Sequence, residues 1–324
     1  MSVSEPVRHV IVPFAGRQSP GCRAALAQLS LPRLGKLLAR MQPVQEDAQD
    51  EGTLSPPHER ALAAALGLPA PDGAIPWAAR QARLQGLPPL PPGQGWSLVT
   101  LCHWQVGIDD VALGDPRALV IEPDESDALL AVLQPFFAED GIALHAGPRP
   151  GQWLAGGALF DHLPTASIDR AVGRPISEWS PLTDAARPLR RLQNETQMLL
   201  YTHPLNEART QRGLPPINSF WASGTGTLPD DTAPAGPAPA VDDRLRGPAL
   251  IDDAPGWAEA WQALDSDVMA SLLTDLEAGA QVRLTLCGDR AARSYAARQG
   301  GGLGMLARRL LERLPAAAAV LGDL

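Results

Sequence analysis

Short apolar runs alternate with amphipathic stretches in both halves of this 324-residue chain, and that alternation constrains the fold most. Runs at 9–15, 97–106, 118–121, 142–145, 152–155, 217–222, 249–251 and 282–287 read as strands. Between them, helical spacing predicts helices over 22–41, 57–66, 124–139, 187–200, 204–213, 257–263, 266–277 and 305–314, the first broken or kinked at Pro32. Asp124 reads as an N-cap, and Leu189, Leu192, Met198 and Leu199 as core positions. Residues 46–52 read as an acidic loop, and 294–298 as a non-strand lead into a helix. Strands that alternate with helices in both halves predict an α/β fold: a mixed sheet with helices on both faces. Residues 69–95, rich in Pro, Gly and Gln, mark a module boundary. The expected organisation is an N-terminal part of an α/β core in 1–95, an inserted α+β subdomain in 97–158, and a C-terminal part of the core in 159–324. The stretch 227–248, dominated by Pro, Ala and Asp, is expected to be a mobile loop.

Composition removes whole classes of function. Lys36 is the only lysine and stands in Leu-Gly-Lys-Leu-Leu, so neither a phosphate-cradling P-loop nor Schiff-base chemistry is expected. The net charge of −9 argues against a broad nucleic-acid surface. Three distant cysteines, Cys22, Cys102 and Cys287, form neither a zinc ribbon nor a disulfide framework. No run approaches the ~20 apolar residues of a membrane span, and the polar start of the chain is unlike a signal peptide. A cytoplasmic protein is expected.

Chemistry concentrates in one block. Asn194, Gln197, His203, Asn206 and Arg209 bring hydrogen-bonding side chains together, and on a helix Asn206 and Arg209 share a face. Pro215-Pro216 then redirects the chain into a strand that carries Asn218 and ends in Ser223-Gly-Thr-Gly226. Gly224 and Gly226 at a strand's end suggest a turn with exposed N–H groups, a place where α/β proteins bind ligands. Two readings follow: a site for a small anionic ligand, gripped by the planar donors of Arg209, or a polar cluster satisfied by its own loop backbone. The six histidines, at 9, 58, 103, 145, 162 and 203, have no metal-ligating spacing, so no metal site is expected. His103 and His203 read as hydrogen-bonded scaffold, Asp109-Asp110 as an acidic turn, and Gly300–Gly304 as a flexible helix lead-in.

The segments Asn194-Glu-Thr-Gln-Met-Leu-Leu200, His203-Pro-Leu-Asn-Glu-Ala-Arg209 and Arg212-Gly-Leu-Pro-Pro-Ile-Asn-Ser-Phe-Trp221 resemble a proteobacterial family. Its members are called RpfE-type regulatory proteins or phosphoglycerate-mutase-related proteins. Cys102-His103 through Leu113, Phe136 to Leu144 and Pro150-Gly-Gln-Trp153 resemble further blocks, so the likeness runs over about 97–290. Two departures stand out: Trp221-Ala-Ser-Gly-Thr-Gly226 replaces the family's Trp-Leu-Trp-Gly-Gly-Gly, and Gln152-Trp153-Leu154 replaces its Arg-Trp-Tyr.

The resemblance implies a distant tie to archaeal-type cofactor-independent phosphoglycerate mutases. It therefore implies a degenerate alkaline-phosphatase-like core. Such enzymes use a serine nucleophile and two divalent metals, such as Mn or Zn, held by Asp and His. Their first strand ends in Asp-Gly; here it ends in Phe14-Ala15-Gly16, with Ser19 the nearest hydroxyl. Asp161-His162 mimics a metal motif of the superfamily but lies ahead of the Asn194 block. Three readings remain: a catalytically vestigial protein with a regulatory or ligand-sensing role, an active metal-dependent phosphomutase or phosphatase, and a structural partner-binding protein.

Overall fold

The structure, a computed structural model, describes residues 7–229, 237–298 and 317–324. In chain order the elements begin with β1 (Arg8–Val12), α1 (Pro20–Gln28), α2 (Pro32–Arg40), β2 (Met41–Ala48), α3 (Pro57–Leu66) and α4 (Trp77–Leu84). There follow β3 (Gly95–Cys102), β4 (Trp104–Val106), β5 (Val111–Leu113), α5 (Pro123–Glu139), β6 (Ala143–Ala146) and β7 (Gln152–Gly157). Next come α6 (Ile168–Ala171), α7 (Ile176–Trp179), α8 (Arg187–Tyr201), α9 (Pro204–Gln211) and β8 (Ser219–Gly226). The chain closes with β9 (Ala240–Val241), α10 (Arg246–Leu250), α11 (Ala254–Leu264), α12 (Ala270–Glu277), β10 (Val282–Cys287), β11 (Ala291–Ala297) and α13 (Ala317–Gly322). Prolines at the first turn start α1, α2 and α3, where the missing N–H costs nothing, and left-handed Gly67 ends α3.

Two compact units emerge, and their borders cross the expected segments. The first comprises residues 1–51, 56–67 and 234–324; the second comprises 52–55 and 68–233. The expected 97–158 subdomain therefore lies inside a larger unit, completed by β8 from beyond its border.

The first unit holds a mixed sheet in the order β2-β11-β10-β1-β9. β1 runs parallel to β10 and to β9; β11 and β2 are antiparallel additions. Period-two alternation sends Val10, Val12, Leu284 and Leu286 into a core with Leu34, Leu37, Trp257 and Trp261. Ile11, Cys287 and Ala292 point the other way, against Ala61 and Leu62 of α3. Helices thus cover both faces, as the alternation predicts.

The second unit is built on an antiparallel sheet in the order β6-β7-β3-β8. One face packs Val99, Leu101, Trp153 and Phe220 against Leu129, Leu133 and Phe137 of α5 and Leu189 and Leu192 of α8. The opposite face packs Trp96 and Leu154 against Ala78, Ala79 and Ala82 of α4.

Several local expectations are corrected. Residues 41–48 form β2, an exposed edge strand without the apolar alternation that reveals half-buried strands. Ala291–Ala297 form β11, although residues 294–298 are expected to be a non-strand lead-in. Residues 118–121 make no strand: a 3-10 turn covers Pro116–Ala118 and Val120 takes a positive φ of 33°. Glu122, not Asp124, caps α5, in a reciprocal capping box with Glu125. Residues 246–250 are helical, so the expected strand at 249–251 is absent. The two helices expected over 257–277 are joined by a π turn, Asp265–Met269. Buried Asp265, in that turn, accepts the Leu34 N–H (2.7 Å) and the Arg33 N–H (3.2 Å) and so caps α2 from across the core. Met198 is 78% exposed and does not join the core. Within the expected loop 227–248, Ala240–Val241 pairs with β1, and residues 230–236 lie outside the described residues. The glycines at 300–304 and the helix expected at 305–314 also lie outside them. Among the described residues no helix is long and apolar enough to cross a membrane.

Candidate functional site

The block rich in hydrogen-bonding residues lies in the second unit, where α8 and α9 meet the lead into β8. His203 caps α9, its Nδ1 accepting the Leu205 N–H at 3.2 Å. Asn206 Nδ2 donates to the carbonyls of Leu200 (2.8 Å) and Ile217 (2.7 Å), and its Oδ1 accepts the Ile217 N–H (2.8 Å). Asn218 pairs with the backbone of Trp104, accepting its N–H at 2.7 Å and donating to its carbonyl at 2.9 Å. The His103 ring nitrogen meets the Pro216 carbonyl at 2.9 Å.

Arg209 is fully buried. Its Nε donates to the Pro215 carbonyl (3.0 Å), its Nη2 to the Leu119 carbonyl (2.6 Å), and its Nη1 to the Val120 carbonyl (3.1 Å) and Glu125 Oε2 (2.7 Å). The guanidinium fork is spent on carbonyls that no secondary structure satisfies. Glu125 was not singled out by sequence; its signal was the capping-box position three residues after Glu122.

The expected gathering of Asn206, Arg209 and Asn218 at a Gly224–Gly226 turn does not occur. Both glycines lie within β8, which pairs with β3. Gly224 has a φ of +62° where the ladder shifts register, and its bare Cα lies against Trp77, so the need for glycine there is conformational and steric. Asn194 is exposed and Gln197 half-buried; Gln193 is the glutamine turned inward, donating to the Phe220 carbonyl at 3.2 Å.

A second polar constellation lies in the first unit, at the carboxyl ends of its parallel strands. Phe14, after β1, has a left-handed φ of 57°. The indole N–H groups of Trp257 and Trp261 hold the carbonyls of Phe14 (2.9 Å) and Ala15 (3.1 Å). Arg17 follows, its side chain 10% exposed. Nη1 donates to Asp289 Oδ1 at 2.5 Å; Nη2 reaches Asp252 Oδ1 at 3.1 Å and the Ala249 carbonyl at 3.0 Å. The other Asp289 oxygen accepts the Gln18 N–H at 2.8 Å. Burial works against the Arg17 charge, but the two carboxylates outweigh it and push its pKa above the ordinary value. The partners of Arg17 lie 235 and 272 residues downstream, which is why sequence spacing gives no sign of them.

These residues do not fit a two-metal phosphoryl-transfer centre. β1 ends without a carboxylate, and Arg17 occupies the two aspartates at its mouth. Among the described residues no group of three His, Cys, Asp or Glu side chains could hold a metal ion. The histidines are dispersed: His9 bonds Thr285, His58 lies on Phe14, His145 lies on Trp96, and His162 is exposed beside Asp161. The three cysteines are buried, and burial pushes the Cys102 and Cys287 thiols upward, away from nucleophilic thiolate. Lys36 is exposed on α2.

His9 makes a titratable link across the sheet. Its Nε2 lies 2.8 Å from Thr285 Oγ1, which lies 2.7 Å from Ser294 Oγ. Burial first, and Arg283 second, pull its pKa from 6.5 to about 4. The unfolded chain therefore takes up this proton before the folded one does. The contribution of neutral His9 is fully present above pH 6.5 and is lost as pH falls toward 4. Melting temperatures measured across this window should fall less steeply for His9→Gln than for the natural chain. Equal slopes would contradict this account.

No protein-family model matches the chain. Over 58 residues it is 38% identical to the 2,3-bisphosphoglycerate-independent phosphoglycerate mutase of Methanothrix thermoacetophila. That stretch is 18% of this chain and 15% of that protein's length. Among solved structures it is similar to the PH0037 protein of Pyrococcus horikoshii, with 16% identity, 93% of this chain and 89% of that one covered, and a TM-score of 0.43. It is also similar to the cofactor-independent phosphoglycerate mutase of Thermoplasma acidophilum, with 13% identity, 97% and 95% covered, and a TM-score of 0.37.

Proposed function

We propose that this chain is a phosphoglycerate-mutase-related protein of the RpfE-type regulatory kind, cytoplasmic, in which binding has replaced catalysis. The observation that carries this reading is Arg17. At the edge where an open α/β sheet presents its functional groups, a built-in cation already pairs with Asp252 and Asp289. A divalent ion there would have to displace a guanidinium held by two aspartates and a carbonyl. The 58-residue likeness to a phosphoglycerate mutase supports the kinship, and the missing carboxylate after β1 supports the loss of activity. In this reading the Asn206–Arg209–Asn218 group serves folding, because its donors are committed to backbone.

The test is metal content of the purified protein, measured together with mutase and phosphatase activity before and after chelation. The expected result is substoichiometric metal and no turnover of phosphoglycerates. Two bound equivalents of zinc or manganese, with activity lost on chelation, would overturn the reading in favour of an active phosphomutase. A thermal shift with 3-phosphoglycerate would then mark a retained anion site, to be mapped by substitution.

A further inference from the structure

Residues 317–324 lie across the ends of β1 and β10. Leu321 and Leu324 are fully buried in the core of the first unit. One Leu324 backbone oxygen accepts the N–H groups of Arg290 (3.1 Å) and Ala291 (2.9 Å). Gln18 Nε2 donates to the Gly322 carbonyl at 3.1 Å. The approach is so close that a side chain at Gly16 would overlap the Leu321 carbonyl, and one at Gly288 would overlap Leu324. Gly16 follows β1 and Gly288 follows β10, so the segment fills the edge at which two parallel strands end.

The seat beneath it is braced without it. Ala15 N–H bonds the Cys287 carbonyl at 2.6 Å, and Gly288 N–H bonds the Ala291 carbonyl at 2.8 Å. Arg17 ties the loop after β1 to Asp289, and the two indoles fix the carbonyls of Phe14 and Ala15. A groove with its own bracing is preorganised for an occupant.

We propose that residues 317–324 are a reversible internal plug, and that the groove walled by Gly16, Gly288 and the N–H groups of Arg290 and Ala291 is a peptide site for a Leu-x-x-Leu segment. Two leucines supply the buried apolar surface, and a backbone oxygen takes the paired N–H donors. The proposal rests on the preceding reading only in placing the functional edge at these strand ends; its test does not involve metals or phosphoglycerates.

The experiment uses a chain lacking residues 317–324 and a synthetic peptide of sequence Ala317–Leu324. Binding is followed by calorimetry and by the fluorescence of Trp257 and Trp261. The expected result is one peptide bound per chain, with recovery of melting temperature, and no binding when both leucines are serine. The full-length chain should bind the peptide about a hundredfold more weakly, because its tethered copy competes at high effective concentration. A folded deletion variant that ignores the peptide, or a full-length chain that binds it equally well, would overturn the proposal. A second construction covers a deletion that fails to fold: a protease site placed between residues 316 and 317 of the full chain. After cleavage the released segment should exchange with labelled peptide; no exchange in folded, cleaved protein would also overturn it.

Discussion

Arg209→Ala should be the most damaging single substitution in the second unit. It deletes a fully buried guanidinium and strands the carbonyls of Leu119, Val120 and Pro215. It also leaves Glu125, only 14% exposed, without its main partner. Breaking a buried charged network by removing one member costs about 3–5 kcal/mol. For a unit of this size that lowers the melting temperature by roughly 10 °C. Arg209→Lys should rescue little, because a point ammonium cannot reach carbonyls spread around a planar fork. Thermal unfolding followed by circular dichroism reads both variants. A melting temperature within a degree or two of the natural chain would contradict this role of Arg209.

Arg17→Ala should be nearly as costly in the first unit, and its signature differs. It removes the guanidinium that bridges Asp289, 16% exposed, and half-exposed Asp252. A loss of about 3 kcal/mol is expected, tempered by the water that reaches Asp252. One consequence separates this from ordinary packing loss. Millimolar calcium or manganese should raise the variant's melting temperature and leave the natural chain unmoved, since an ion that binds only the folded form stabilises it. If divalent cations do not relieve the variant, Arg17 is not acting as a fixed cation.

The sequence revealed the elements whose local signals and burial agree. Pro57 and Gly67 bracket α3, and the spacing of Leu189 and Leu192 forecasts the inner face of α8. It concealed β2 because six of its eight residues are exposed, so no alternation betrays the pleat. It misrepresented residues 118–121, where an apolar run bends to aim two carbonyls at Arg209. The spacing of Asn206 and Arg209 places both on one helix, but gives no sign that they bond different segments of backbone, Asn206 those of Leu200 and Ile217 and Arg209 those of Leu119, Val120 and Pro215. Arg17 was illegible because only tertiary folding brings Asp252 and Asp289 to it.

The strand order of the first unit has a consequence for biosynthesis. β1 is flanked on both sides by parallel partners, β9 and β10, supplied by Ala240–Val241 and Val282–Cys287. A chain emerging from the ribosome by its amino end therefore exposes β1 with both edges open while the entire second unit is still being made. The strands of that second sheet, β3, β6, β7 and β8, arrive in one continuous stretch and can close before β9 exists. Late closure of non-local parallel pairs is slow and leaves strand edges exposed to wrong partners. During translation the first unit, although it is begun first, is finished last, and its residues 8–12 are the segment a chaperone has most reason to shield.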